Sequence, residues 1–252
     1  MTHGRWKHAP PLARIPPEIV GASVLVTHNL LVHRALRPPA DAILNLTSAI
    51  ALTTFALRAG CTPAELGLDR ADLKRGLKTG AIAAACCSAG IGTAAGLPST
   101  RKFFLDARFQ DMSRKEALYH ASLRIPLATA LAEEIMFRSA LHALFAREHS
   151  LRASLTWTSL LFGLWHILPT LDSFEGNPAS NIVQNRARAR LTAALVITGT
   201  TAGAGLFFSY LRLRSRSVAA AALTHAVINT VALGIGKALV DRGEPHRTPM
   251  RG

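Results

Sequence analysis

Two adjacent carboxylates, Glu133 and Glu134, lie in the middle of an apolar stretch, and their chemistry demands the first explanation. Of 15 acidic side chains, 13 fall in loops, tails or at the edges of apolar runs, so these two alone lie deep inside one. An ionised carboxylate in a membrane helix is costly unless it is paired or wetted. Glu134 has a partner on its own helix: Arg138 follows at i+4, the spacing at which helical side chains meet, with the acid first. Glu133 points about 100° away around the helix. At i−4, i+3 and i+4 it meets only Thr129, Met136 and Phe137. Its partner must come from another helix.

Two histidines can supply it. His166 stands near the end of the next apolar run, and His225 stands about two turns into the last one. Asn229 follows His225 at i+4 and shares its helix face. A single histidine in an apolar helix is most often a satisfied core residue. Glu, His, His and Asn on three separate runs can instead converge on one polar cavity, and polar groups this deep point to function. Desolvation raises a carboxylate's proton affinity toward that of a general base at neutral pH. An imidazole beside it can help to polarise a water, while a second histidine and an amide supply donors to a developing oxyanion. These are the parts of a peptide-bond hydrolase without a covalent nucleophile. The sequence has no GxSxG elbow and no HExxH helix.

Helices must hold these residues, and the composition provides them. The 252 residues are 49% apolar and 17% charged, with a mean hydropathy of +0.23. That excludes a disordered basic tail despite a net charge of +14. The basic residues fall in short clusters between apolar runs instead of interleaving along a face, so no nucleic-acid partner is expected. Runs long enough for a hydrocarbon core of about 30 Å lie at 19–36, 41–57, 80–97, 121–145, 153–170, 192–211 and 217–240. They predict an all-α, multi-pass transmembrane helical bundle of seven spans, or eight if 100–119 also crosses. The first run is too long for a cleavable signal and reads as a retained span.

The expected organisation is a basic N-terminal tail over 1–18, membrane spans and an interfacial segment over 19–118, a catalytic membrane domain over 119–240 and a polar tail over 241–252. Within it, 113–119 reads as an interfacial helix. The clusters over 70–78, at Arg186, Arg188 and Arg190, and at Arg212, Arg214 and Arg216 are expected to anchor at lipid phosphates, with anionic membrane lipids as partners. Basic residues balance across alternate connectors, which leaves orientation open. Gly92 with Gly96 and Gly199 with Gly203 are expected to let helices approach. Cys61, Cys86 and Cys87 form no CxxC pair and read as core residues. Trp165 reads as an interfacial anchor, His28 and His33 belong to no motif, and His142 is expected to solvate the Glu134–Arg138 pair. Pro126 is expected to kink its helix, and Pro169 to end its own.

In chain order EEIMFR (133–138), FGLWH (162–166) and HAVIN (225–229) resemble the EExxxR, FxxxH and HxxxN motifs of the CPBP family. That family comprises type II CAAX prenyl endopeptidases and bacterial bacteriocin-processing or immunity (Abi) relatives. The resemblance covers 119–238, and the earlier runs match only in being apolar. It implies an intramembrane endopeptidase of the cell membrane acting on a membrane-associated protein or peptide. Glu133 and His166 would activate water, His225 and Asn229 would bind the oxyanion, and Glu134 and Arg138 would shape the site. No cofactor and no resident metal are expected. One alternative is a zinc-dependent version, since a Glu with two His could hold zinc. Against it, ligating histidines want second-shell acceptors, and few carboxylates besides Glu134 stand nearby. The other alternative is a non-catalytic immunity or adaptor protein of the same fold. A proton-coupled transporter would also bury Glu and His, but many are built from internal repeats, and none occurs here.

Overall fold

The computed structural model describes residues 15–36, 39–105, 109–174 and 186–243, and all regular structure among them is helical. Residues 1–14 of the basic N-terminal tail and the C-terminal tail from 244 lie outside the described residues. Helix α1 is Pro17–Arg34, α2 is Ala40–Arg58 and α3 is Arg70–Gly96. A continuous helix over 114–148, α4, opens as Arg114–Tyr119 and closes as His142–Glu148. Between them it winds in π register over His120–Leu131 and Ile135–Leu141, either side of an α turn at Ala132–Glu134. Pro126, which has no N–H to give to an α ladder, lies inside the first π stretch. Helices α5 (Leu151–Trp165), α6 (Ile167–Phe174), α7 (Arg186–Ser215) and α8 (Val218–Asp241) follow. Side chains of Asp69, Ser113, Ser150 and Ser217 accept the first free amides of α3, α4, α5 and α8, as N-caps should.

Among the described residues four helices are long and apolar enough to cross a membrane: α2, α3, Arg190–Ser215 of α7, and α8. The other three expected spans are helical but do not share that length and composition. Helix α1 carries His28, Asn29, His33 and Arg34, and α4 carries Glu133, Glu134, Arg138 and His142 in its middle. Helix α5 has 15 residues, or roughly 22 Å at 1.5 Å per residue, because the backbone turns at His166. Pro169 is therefore not what ends it. It lies in the first turn of α6, where a missing N–H is tolerated. The segment proposed as an eighth span breaks into Pro98–Arg101, a 3₁₀ turn at Lys102–Phe104 and the start of α4.

The bundle is organised around α4, where every side chain from Met136 to Phe145 is buried. It packs against α2 on one side and α8 on the other, while α8 lies along α3 and α7 along α5. The close approaches occur at glycines other than those expected. A Cβ on Gly76 would come within 2.6 Å of Ser217, one on Gly80 within 2.8 Å of the Ala220 carbonyl, and one on Gly163 within 2.5 Å of the Thr198 carbonyl. Cβ atoms on Gly92, Gly96, Gly199 and Gly203 would meet nothing within 4 Å among the described residues. The small-residue pair of α3 that touches a neighbour thus sits about four turns earlier than expected, opposite the first turns of α8. Of the cysteines, Cys61 is buried but Cys86 is exposed. Arg212 does not reach outward: it is buried and donates to the Glu65 carbonyl in the α2–α3 loop, while Arg214 and Arg216 are exposed.

Candidate active site

Glu134 is fully buried, and both its oxygens face partners. His225 Nδ1–H donates to Oε1 at 2.9 Å, and Arg138 Nε lies 3.2 Å from Oε2. A carboxylate only accepts, so Nδ1 of His225 carries a proton and Nε2 is turned away from Glu134. The His225 ring stacks on Phe208 with centroids 5.0 Å apart. The Arg138 guanidinium carbon stands 3.8 Å from the centre of the Phe162 ring and 5.4 Å from that of Phe208. An arginine cation that has left water is thus held by one carboxylate and by aromatic faces.

Glu133 projects to the other side of α4. It is only 6% exposed, and its Oε2 has no hydrogen-bond partner among the described residues. The nearest ion-pair contact is His166 Nε2 at 4.0 Å, too long for a direct hydrogen bond. Nδ1–H of His166 donates to the Phe162 carbonyl at 2.8 Å, which fixes the tautomer of the neutral ring and turns the Nε2 lone pair toward Glu133. A water lodged against both groups would meet an acceptor on each side. His166 can make this arrangement because it stands where α5 stops, and its side chain stays partly exposed.

Phe162 separates the two halves. Its ring centroid lies 4.5 Å from that of His166 and 6.2 Å from that of His225. Asn229 is half-buried one turn beyond His225 on α8. That helix is pinned on both flanks, by Thr224 donating to the Gly80 carbonyl and by Thr230 donating to the Ala121 carbonyl. The six residues singled out in the sequence stand on α4, the end of α5, and α8: Glu133 faces His166, Glu134 meets Arg138 and His225, and Asn229 follows one turn beyond His225.

Residues 116–231 match the family model described as Rce1-like, type II CAAX prenyl endopeptidase. This segment is an Rce1-like domain. No curated protein and no solved structure matches the chain. The Rce1-like domain contains Glu133, Glu134, Arg138, His166, His225 and Asn229, and α1 to α3 lie outside it. The family is one of CAAX-type membrane peptidases, and four long apolar helices agree with a membrane protein.

Several residues around the Rce1-like site were not legible in the sequence. Phe208 covers His225, yet nothing in its apolar surroundings distinguishes it. Trp165 is buried, not interfacial: it stacks on His28 at 5.1 Å and meets Phe137 edge-on at 5.4 Å. His142 is buried, but its Nδ1 has no hydrogen-bond partner among the described residues, so its contribution to the Glu134–Arg138 pair is not through that atom. A cavity of about 340 Å³ opens beside Trp165, between α1 and α5–α6, with Leu25, Leu30, Phe137, Leu164 and Leu168 in its wall and Asn29 as its polar member. As for zinc, both histidines do have a second-shell acceptor, Glu134 and the Phe162 carbonyl, contrary to the expectation from sequence. No three His, Cys, Asp or Glu side chains come together in a metal-holding cluster among the described residues, because His225 is drawn to Glu134 and not to Glu133.

Proposed function

We propose that the protein is an intramembrane endopeptidase of the cell membrane that hydrolyses a peptide bond by water activated between Glu133 and His166. The observation that carries this reading is the contrast between Glu134, which is hydrogen-bonded to His225 and ion-paired with Arg138, and a buried Glu133 that faces the His166 lone pair across 4.0 Å. Glu133 takes a proton from the water as the water oxygen attacks the substrate carbonyl. The resulting oxyanion accepts hydrogen bonds from His225 Nε2–H and the Asn229 amide. For Nε2 to donate while Nδ1–H is given to Glu134, His225 carries a proton on each nitrogen in that step. Collapse of the intermediate breaks the C–N bond, and Glu133 returns its proton to the leaving amine. Arg138 holds Glu134 in place.

The substrate this reading implies is a membrane-associated protein or peptide. The family description points to a prenylated C-terminal cysteine motif, and the basic connectors of the sequence support anionic lipids as neighbours. The test is cleavage of a farnesylated, internally quenched peptide ending in cysteine, two aliphatic residues and a free carboxylate-bearing residue, by full-length protein in detergent. Wild type is expected to cleave it and Glu133→Gln to be inactive at equal folded yield. Wild-type protein without activity, or a fully active Glu133→Gln, would favour the non-catalytic reading.

A further inference from the structure

Helices α1 and α2 lie outside the Rce1-like domain, yet they send a connected set of polar side chains to its site. His28 is 3% exposed in the middle of α1. Its Nε2 lies 2.8 Å from Asn45 Oδ1 and its Nδ1 lies 2.7 Å from Ser48 Oγ, both on α2. Asn45 Nδ2 donates to the Ala128 carbonyl at 2.8 Å, so Oδ1 is left to accept and Nε2 of His28 must donate. In the neutral ring Nδ1 then accepts from the Ser48 hydroxyl. Both imidazole nitrogens are satisfied, and the ring is fixed.

What the ring touches gives this network its meaning. One face of His28 stacks on Trp165, with centroids 5.1 Å apart and planes 19° from parallel. The next residue, Asn29, donates to the Trp165 carbonyl at 3.1 Å. Helix α1 therefore grips Trp165 by its ring and by its backbone, immediately before His166 at the end of α5. Asn45 grips α4 at the Ala128 carbonyl, five residues before Glu133 on the same helix. Glu133 is near enough to act electrostatically on His28 itself. An apolar helix pair needs no such network, and a buried polar network is costly unless complete. This one is complete at His28 and ends on the two backbone segments that carry the water-activating pair.

We propose that His28, fixed by Asn45 and Ser48, is a positioning residue that sets the Glu133–His166 geometry through Trp165. The inference rests on the reading of Glu133 and His166 as the water-activating pair. With the quenched farnesylated peptide and full-length protein, His28→Ala should lower kcat by about 10- to 100-fold, as a small misplacement of reacting groups does, with KM within about twofold. His28→Gln, which can still donate to Asn45, should recover most of that loss. Leu52→Ala, a core truncation in α2, should lower the thermal midpoint and leave kcat in place. Unchanged kcat in His28→Ala, or a kcat loss that merely tracks the thermal midpoint as in Leu52→Ala, overturns the proposal.

A second measurement needs no turnover. In a Trp6→Phe, Trp157→Phe background only Trp165 emits, and a stacked imidazole quenches indole emission. Glu133→Gln should change that emission when His28 is present and leave it unchanged in His28→Phe. An emission indifferent to Glu133 in both backgrounds overturns the positioning role. If wild type fails to cleave the peptide while the emission responds as expected, the endopeptidase reading fails and the coupling of His28 to Glu133 stands.

Discussion

On one side of α4, Glu134 accepts a 2.9 Å hydrogen bond from His225, lies 3.2 Å from Arg138 Nε and has no exposed surface; on the other, Glu133 stands across a 4.0 Å gap from His166. The two residues share a backbone, a helix turn and nearly the same burial. What separates them is direction: one points to α7 and α8, where Arg138, Phe208 and His225 close around it, and the other to the end of α5. In the proposed mechanism the ion-paired carboxylate fixes geometry, and the other exchanges a proton with water.

The largest break in this contrast comes from Glu133→Gln. Loss of the base should reduce cleavage by about 10⁴-fold, the upper end of general-base contributions, with the thermal midpoint near wild type. A large drop in that midpoint would mean that Glu133, too, is structural. Glu134→Ala should do the reverse. It leaves Arg138 buried among Phe162, Phe208 and Phe137 without its carboxylate, at a cost of about 3–5 kcal/mol, read as lower folded yield and an earlier denaturant midpoint. It should also release the His225 ring from its 2.9 Å bond.

Asn229→Ala tests the other half of the site. As an oxyanion donor its loss should lower kcat by roughly 10²–10³-fold with little change in KM. The same preparation should keep its activity after exhaustive treatment with a strong chelator. Activity that disappears on chelation and returns with zinc would overturn the metal-free mechanism and leave the peptidase assignment in place. A smaller effect, purely on packing, is expected at Gly80→Ala. The added methyl would lie 2.8 Å from the Ala220 carbonyl, and overpacking of that kind costs about 1–3 kcal/mol. Gly92→Ala, facing open space, should be neutral or mildly stabilising, and an equal loss at both sites would remove the distinction drawn between them.

The site was legible in the sequence to the extent that its residues are anomalies within a helix. Glu133, Glu134 and Arg138 are charges in an apolar run, and the i+4 spacing already ties two of them together. His225 and Asn229 share a face for the same reason. The bond from His225 to Glu134 and the break at His166 could not be read that way, because both depend on which helices become neighbours. His28, Asn45 and Ser48 were the hardest to see: each is an ordinary polar residue in its own helix, and only the packing of α1 and α2 against α4 and α5 makes them a network. The fold class was equally plain from the length and apolarity of the runs. The number of spans was not, because α1, α4 and α5 owe part of their burial to one another, and hydropathy along one run cannot separate burial in protein from burial in lipid.

The smallest effect sharpens the comparison from outside the bundle, where a carboxylate is well paired but exposed. In the loop between α2 and α3, Glu65 Oε2 accepts from the Thr62 amide at 2.7 Å and from its hydroxyl at 2.9 Å, and Thr62 Oγ1 accepts the Glu65 amide in return. Arg147, at the end of α4, lies 3.6 Å from the same oxygen and donates to the Gly60 carbonyl. The Thr62 amide above all, with the Thr62 hydroxyl and the Arg147 charge, holds the Glu65 carboxyl below its usual range. The ionised form is thus favoured in the folded loop. Its contribution is complete above the ordinary carboxylate range and disappears as pH falls through the lowered value. Solvent screening keeps that contribution small, since exposed pairs are worth little. Glu65→Gln should therefore lower the thermal midpoint slightly, by less than Gly80→Ala, at about pH 7, with the difference from wild type closing as the buffer approaches about pH 3. A deficit that persists unchanged at the acid end would show that the loop depends on the shape of the Glu65 side chain and not on its charge.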